Sequence, residues 1–297
     1  MRLHDARSAL PAVAILMTVI VTACSSAGST PSASRSPGSS PSGTASPGGS
    51  PAVGGLLLRI AADGGFVPPG FLVTRVPELS IYTDGRAIEP GAVAAIFPGP
   101  PVSPLILNRL DAGALDAIRA AARTAGLAGP DRSSTSAPVA DAPTTVFSYV
   151  DAAGTHILSI YALGFQAGPG APAEERAVRE AAVVLLRTVQ GIVGAVPGST
   201  TYAPEAYRIY AQPAEAPATG EPLPNILDWP AGLPALGSLP ATKLPPGAGC
   251  GAIAGGQLEA FTALLAKATQ ITRYRDGGRD WTLLIRPLLP DEARTCP

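Results

Sequence analysis

The sequence predicts an α+β fold: antiparallel sheets with helices packed on them. Three observations lead there. Short runs rich in β-branched and aromatic residues are separated by Asp-Gly and Gly-Gly turns. Two longer segments carry an apolar stripe at helical spacing. The strand candidates meet as hairpins and do not alternate singly with helices, which argues against a parallel sheet.

Taken in order, Leu56 to Ala61 is a strand candidate closed by the Asp63-Gly64-Gly65 turn. Phe71 to Val76 and Leu79 to Thr83 read as extended, Asp84-Gly85 turns, and Arg86 to Glu89 returns. A proline-rich loop, Pro98 to Pro104, precedes Leu105 to Leu110. Asp111 is then an N-cap for a helix whose Leu115, Ile118 and Ala122 share one face and whose end is marked by Gly126. Thr145 to Val150 and His156 to Leu163 form a hairpin across Asp151 to Gly154. The helix from Ala173 to Ile192 has the stripe Val178, Ala182, Leu185, Val189 and Ile192, with Glu174, Glu175, Arg176 and Glu180 keeping its start solvated. After Pro197-Gly198, Tyr207 to Ala211 is a short strand, and Pro213 to Gly249 an irregular segment on the surface of the fold. Cys250 to Ala254 is extended and Gln257 to Ala268 helical. Ile271 to Arg275 pairs with Asp280 to Arg286 across Asp276-Gly277-Gly278. Each half thus has a helix followed by a hairpin, without residue identities that would establish a repeat.

The 297 residues are 46% hydrophobic and 14% charged, so a substantial core is available. Only Lys243 and Lys267 represent lysine. The net charge is −1, and −2 once Arg2, Asp5 and Arg7 leave with a signal segment. No basic patch interleaved with aromatics occurs, which excludes nucleic acid as the expected partner. The layout predicted is a signal peptide over 1–23, a tether over 24–53, and α+β regions over 54–196 and 197–297. One composite body and two small domains both fit that length.

The N-terminus carries the sharpest motif. Arg2 and Arg7 give a positive start, Leu10 to Val21 is apolar, and Val21-Thr22-Ala23-Cys24 closes the run. The apolar run is shorter than the about 20 residues a spanning helix needs. These four residues resemble the lipobox of bacterial lipoproteins. The resemblance implies that Cys24 carries a diacylglyceryl group and that the protein is anchored on the extracytoplasmic face of the cell membrane; two chains are what stable anchoring takes. Ser25 to Val53 is almost entirely Ser, Pro, Gly, Ala and Thr, the composition of a coil with an r.m.s. reach of roughly 30 Å. With Cys24 acylated, Cys250 and Cys296 remain. In an oxidising compartment they are expected to form a disulfide, two free or metal-bound thiols being the alternative.

Little else points to chemistry. His156 is the one histidine left after the signal, and no Gly-x-Ser-x-Gly elbow, phosphate loop or dinucleotide fingerprint occurs. Asp63, Glu78, Asp84 and Glu89 cluster in sequence, but two of them belong to Asp-Gly turns. Arg273, Arg275, Arg279 and Arg286, beside Tyr274 and Trp281, could hold an anion on the last hairpin. No catalytic, cofactor-binding or metal-binding residues are therefore expected, and no cofactor. The expected role is a non-enzymatic binding module with an extracellular protein or small-molecule ligand. The whole chain resembles uncharacterised lipoproteins of high-GC Gram-positive bacteria. The strand leading into Gly64-Gly65-Phe66, the helix from Asp111 and the hairpin with its closing helix are also similar to emfourin-type metalloprotease inhibitors. That similarity implies protease inhibition as the alternative activity, an envelope enzyme being a third.

Overall fold

The computed structural model describes residues 54–217 and 219–297. The expected signal segment, Cys24 and the tether lie outside them.

The larger sheet is built from β1 (Leu56–Asp63), β2 (Leu79–Tyr82), β3 (Arg86–Pro90), β4 (Leu105–Arg109), β5 (Arg132–Ser134), β6 (Thr144–Asp151), β7 (Gly154–Tyr161) and β8 (Thr200–Thr201). Its order is β5-β7-β6-β1-β2-β3-β4-β8, and every neighbouring pair is antiparallel except β5 with β7. Helices α1 (Pro69–Thr74), α2 (Ala112–Thr124) and α3 (Ala173–Gly194) are interspersed. The smaller sheet has β9 (Ala206–Pro213), β10 (Ile226–Asp228), β11 (Gly249–Ala254), β12 (Arg273–Asp276) and β13 (Arg279–Pro287), in the order β10-β12-β13-β9-β11, with α4 (Leu258–Leu265) packed on it. This is an α+β architecture of mostly antiparallel sheets. The boundary expected at residue 197 falls between α3 and β8, the last strand of the larger sheet.

Local chemistry explains these elements. Thr145, Phe147 and Tyr149 alternate inward along β6, the period of a half-buried strand. The Asp111 carboxylate accepts the Ala114 amide at 2.7 Å, capping α2. Leu115, Ile118 and Ala122 of α2 meet Val178, Ala182, Leu185 and Val189 of α3 over one face of the sheet. Each large side chain so buried contributes about 1.5–3 kcal/mol. Gly85 has φ +86° in the β2–β3 turn, and a Cβ there would lie 2.4 Å from the Leu110 carbonyl oxygen, so only glycine fits.

Two expectations need correction. Phe71 to Val76 is not extended. Residues 69–74 form α1, with Pro69 at the start of the helix where its missing N–H costs nothing, and Gly70 lies against Leu284 of β13. The segment 213–249 is not merely superficial either. Trp229, Leu233 and Leu236 enter the core of the smaller sheet, and β10 pairs with β12.

The opposite face of the larger sheet is covered from the C-terminus: Leu289 packs with Tyr82, Ile88, Leu105 and Tyr202. Asp291 accepts from Arg59 at 2.7 Å and from the Tyr82 hydroxyl at 2.8 Å. All the apolar cores close among these residues, which make one compact, self-contained unit.

Register also fixes which loops share an end. Asp63 pairs with Thr144 and Thr144 with Tyr161, while Ile60 pairs with Leu79 and Pro90 with Leu105. The turn after β1, the β3–β4 loop and the segment after β7 therefore leave one end of the sheet. Gly54 enters at the other, where its amide meets the Thr83 hydroxyl.

Candidate functional site

Cys24 lies outside the described residues. Cys250 and Cys296 are joined as a disulfide, with Cα atoms 6.0 Å apart. It ties the C-terminal tail to β11.

His156 is held at both ring nitrogens. Nδ1 donates to the Gly129 carbonyl (2.8 Å) and Nε2 lies 3.1 Å from the Asp151 carboxylate. The Asp151 hydrogen bond, against some desolvation and with help from Gly129, raises the imidazole above its usual value. With acceptors facing both nitrogens the protonated form of the ring is favoured, and neither nitrogen is directed at open space as a general base would be.

The clustered carboxylates are local. Asp63 accepts its own turn's Gly64 amide (2.9 Å), Asp84 pairs with Arg86 (2.8 Å), and Glu89 accepts from Asn108 (2.8 Å). Three of the four arginines of the last hairpin are likewise committed. Arg275 forks onto Asp280 (2.9 and 3.3 Å), and Arg273 donates to the Glu215 carbonyl. Arg279 lies over Trp281, and Arg286 binds Glu292 and the Arg75 carbonyl. Three of the four guanidinium groups are thus spent on the fold, and the exposed Arg279 has no hydrogen bond or ion pair among the described residues.

Sequence reasoning missed a polar network at the start of α3. Glu175 is not simply solvated: it accepts from the Ser134 hydroxyl, the Thr135 and Ser136 amides and the Ser136 hydroxyl, at 2.7–2.9 Å. The Ser136 amide, then the two serine hydroxyls, hold this carboxyl down to about 2, so it is a fixed anion and a poor base. One turn on, Arg179 is only 4% exposed. Its guanidinium donates to Ser134 Oγ and to the carbonyls of Tyr161, Ala162 and Phe165 at 2.8–3.1 Å, while its Nε has no partner. Among the described residues no carboxylate reaches within ion-pair distance of Arg179.

Beside this buried cation runs a cleft of about 620 Å³ between α3 and residues 163–167, a size that suits a small ligand. Its floor is Arg176, Glu180, Val183 and Arg187, spaced i, i+4, i+7, i+11 along α3. That recurrence was available in the sequence and is the signal that could have found the cleft. Leu163, Phe165 and Val184 form apolar walls. Arg176 donates only to the Ala171 carbonyl, and Arg187 has no hydrogen bond or ion pair among the described residues. The arrangement can therefore attract an anion and bury an apolar body beside it.

Compared with known protein families, curated proteins and solved structures, the chain finds no match.

Proposed function

We propose that the chain is a non-enzymatic binding module, held on the outer face of the cell membrane by acylation of Cys24, whose ligand is a small amphiphilic anion seated along α3. One observation carries the ligand: the cleft joins Arg176 and Arg187 to apolar walls beside the buried Arg179 guanidinium, whose Nε has no partner. Glu175 is linked to Arg179 only through the Ser134 hydroxyl, and guanidinium recognises carboxylate and phosphate with paired N–H donors. The non-enzymatic reading is supported by the commitment of the catalytically useful groups to structure: His156 to two acceptors, Glu175 to four donors, and the remaining thiols to each other.

Two measurements test this. Metabolic labelling with a clickable fatty acid should mark the wild type and spare Cys24→Ala; equal labelling of both refutes the anchor. Calorimetric titration of the 54–297 fragment with octyl phosphate should give saturable binding that Arg187→Ala weakens about tenfold. Inorganic phosphate alone should bind more weakly. Heat unaffected by that substitution, or turnover of any substrate by the fragment, would sink the assignment.

A second reading, inhibition of a metalloprotease, has one observation in its favour. Phe66, at the tip of the Gly64-Gly65 turn, is 90% exposed. Slowed thermolysin cleavage that reaches a stoichiometric endpoint and is lost in Phe66→Ala would promote it.

A further inference from the structure

The loop between β3 and β4, residues 91–104, has no charged side chain, and Ser103 is its only polar one. Within it six consecutive residues, Ala92-Val93-Ala94-Ala95-Ile96-Phe97, are all exposed, Ile96 and Phe97 by 65% and 64%. A run of that length on a surface carries a solvation cost that single exposed apolar residues do not, and it marks a contact. The loop is held in place, since Gly91 N–H donates to the Pro104 carbonyl at 2.8 Å and the Gln270 amide donates to Gly99 at 2.9 Å. The run is therefore presented on a fixed base.

Other exposed apolar side chains leave the same end of the larger sheet. Phe66 follows β1, Phe71 and Leu72 belong to α1 directly after it, and Phe165 follows β7. Cations accompany them. Arg75 lies over the Phe71 ring at 4.8 Å, and Arg176 lines the α3 cleft together with Phe165. The exposed carboxylates Asp63, Glu78 and Asp141 lie at this end too, so the match to a phospholipid surface is carried by the apolar tips, which suit its hydrocarbon boundary.

We propose that this end of the molecule, led by the loop 92–97, rests on and inserts into the phospholipid surface. The choice of a membrane as occupant rests on the anchored reading above. Gly54 enters at the opposite end of the sheet, so in the anchored reading the spacer has to be long enough to let the apolar end reach the lipid. About 29 residues of coil composition separate the two, and an r.m.s. reach of roughly 30 Å covers the about 26 Å of an eight-residue strand. A much shorter spacer would hold the apolar end off the lipid.

The test leaves the anchor out, so its failure and failure of acylation are distinct results. The 54–297 fragment, which lacks Cys24, is mixed with vesicles of phosphatidylcholine and phosphatidylglycerol and sedimented. It should bind, and the double variant Ile96→Asp/Phe97→Asp, whose exposed positions leave the fold intact, should partition at least about tenfold more weakly. Raising salt should leave most of the binding intact, because the apolar part is unscreened. Binding that the double variant retains in full, or no binding at all, overturns the proposal. So does self-association of the fragment that the same variant abolishes, which would assign the run to a second copy of the chain.

Discussion

His156 makes a pH dependence legible at a single residue. Its folded-state value lies above the ordinary 6.5, chiefly through the hydrogen bond to Asp151. A group held more basic in the folded state stabilises the fold fully below its unfolded value and loses that contribution as pH rises through the folded one. Asp151 is the mirror case. Burial raises it, but His156 and the Ala153 and Gly154 amides more than offset that and bring it below 3.8. Its contribution is present above about that value and lost on further acidification. The pair is thus strongest between the two, from about pH 4 to 6.5. Thermal unfolding across pH 4 to 9 should show a decline above neutrality in the wild type that is missing in His156→Gln. Parallel profiles for the two proteins would mean that the imidazole is neutral in the fold. The sequence disclosed a turn-flanking histidine of structural type. It could not disclose the Gly129 carbonyl, which reaches the ring only because the chain after α2 passes the β6–β7 turn.

Among the elements, α3 is pinned by a charged side chain where its apolar stripe would suffice to bury it. Arg179 bridges the helix to the end of β7 and to Ser134 of β5 through four hydrogen bonds. Truncating it to Met leaves those acceptors buried and unpaired. The expected loss is at least about 3 kcal/mol, because bonds from a charged donor are worth about 1.5–3 each and an orphaned acceptor adds its desolvation. Urea unfolding of Arg179→Met measures this; a loss under 1 kcal/mol would mean that water replaces the guanidinium. Periodicity exposed α2 and α3 because Leu115, Ile118, Val178 and Leu185 repeat with the helix, and alternation exposed β6. The elements that escaped notice are those whose existence depends on a distant partner. β5, β8 and β10 have three residues or fewer and are strands only because β7, β4 and β12 lie alongside. α1 reads locally as a β-rich run and is helical because it starts on two prolines and seats Gly70 on Leu284. Arg179 escaped for the same reason, since a charged residue beside Val178 reads as solvated until β5 and β7 supply its acceptors.

Across the whole molecule the C-terminal tail acts as a strap between the sheets. It leaves β13, buries Leu288 and Leu289, and places Asp291 on Arg59 of β1 and Tyr82 of β2. Glu292 is fixed by Arg286 and the Leu289 amide, and Cys296 returns to β11. Burial first, and then the Asp291 carboxylate, push the Tyr82 hydroxyl well above its usual range, so it stays a donor at any physiological pH. The Cys250–Cys296 pairing was legible from cysteine arithmetic, but the strap was not, because nothing in the sequence shows that residues 288–292 cross onto the other sheet. The bridge closes 46 residues, which the chain-entropy account values at roughly 4 kcal/mol. Removing Asp291 leaves a guanidinium and a phenol short of an acceptor, at about 1–3 kcal/mol. If the tail works as one strap, these losses are coupled: once Cys250→Ala/Cys296→Ala has freed the end, part of the Asp291 contribution has already gone. A double-mutant cycle by urea unfolding should therefore give a combined loss smaller than the sum of the two by at least about 0.5 kcal/mol. Strict additivity would show that Asp291 holds its place without the disulfide, and that the two sheets are joined at independent points.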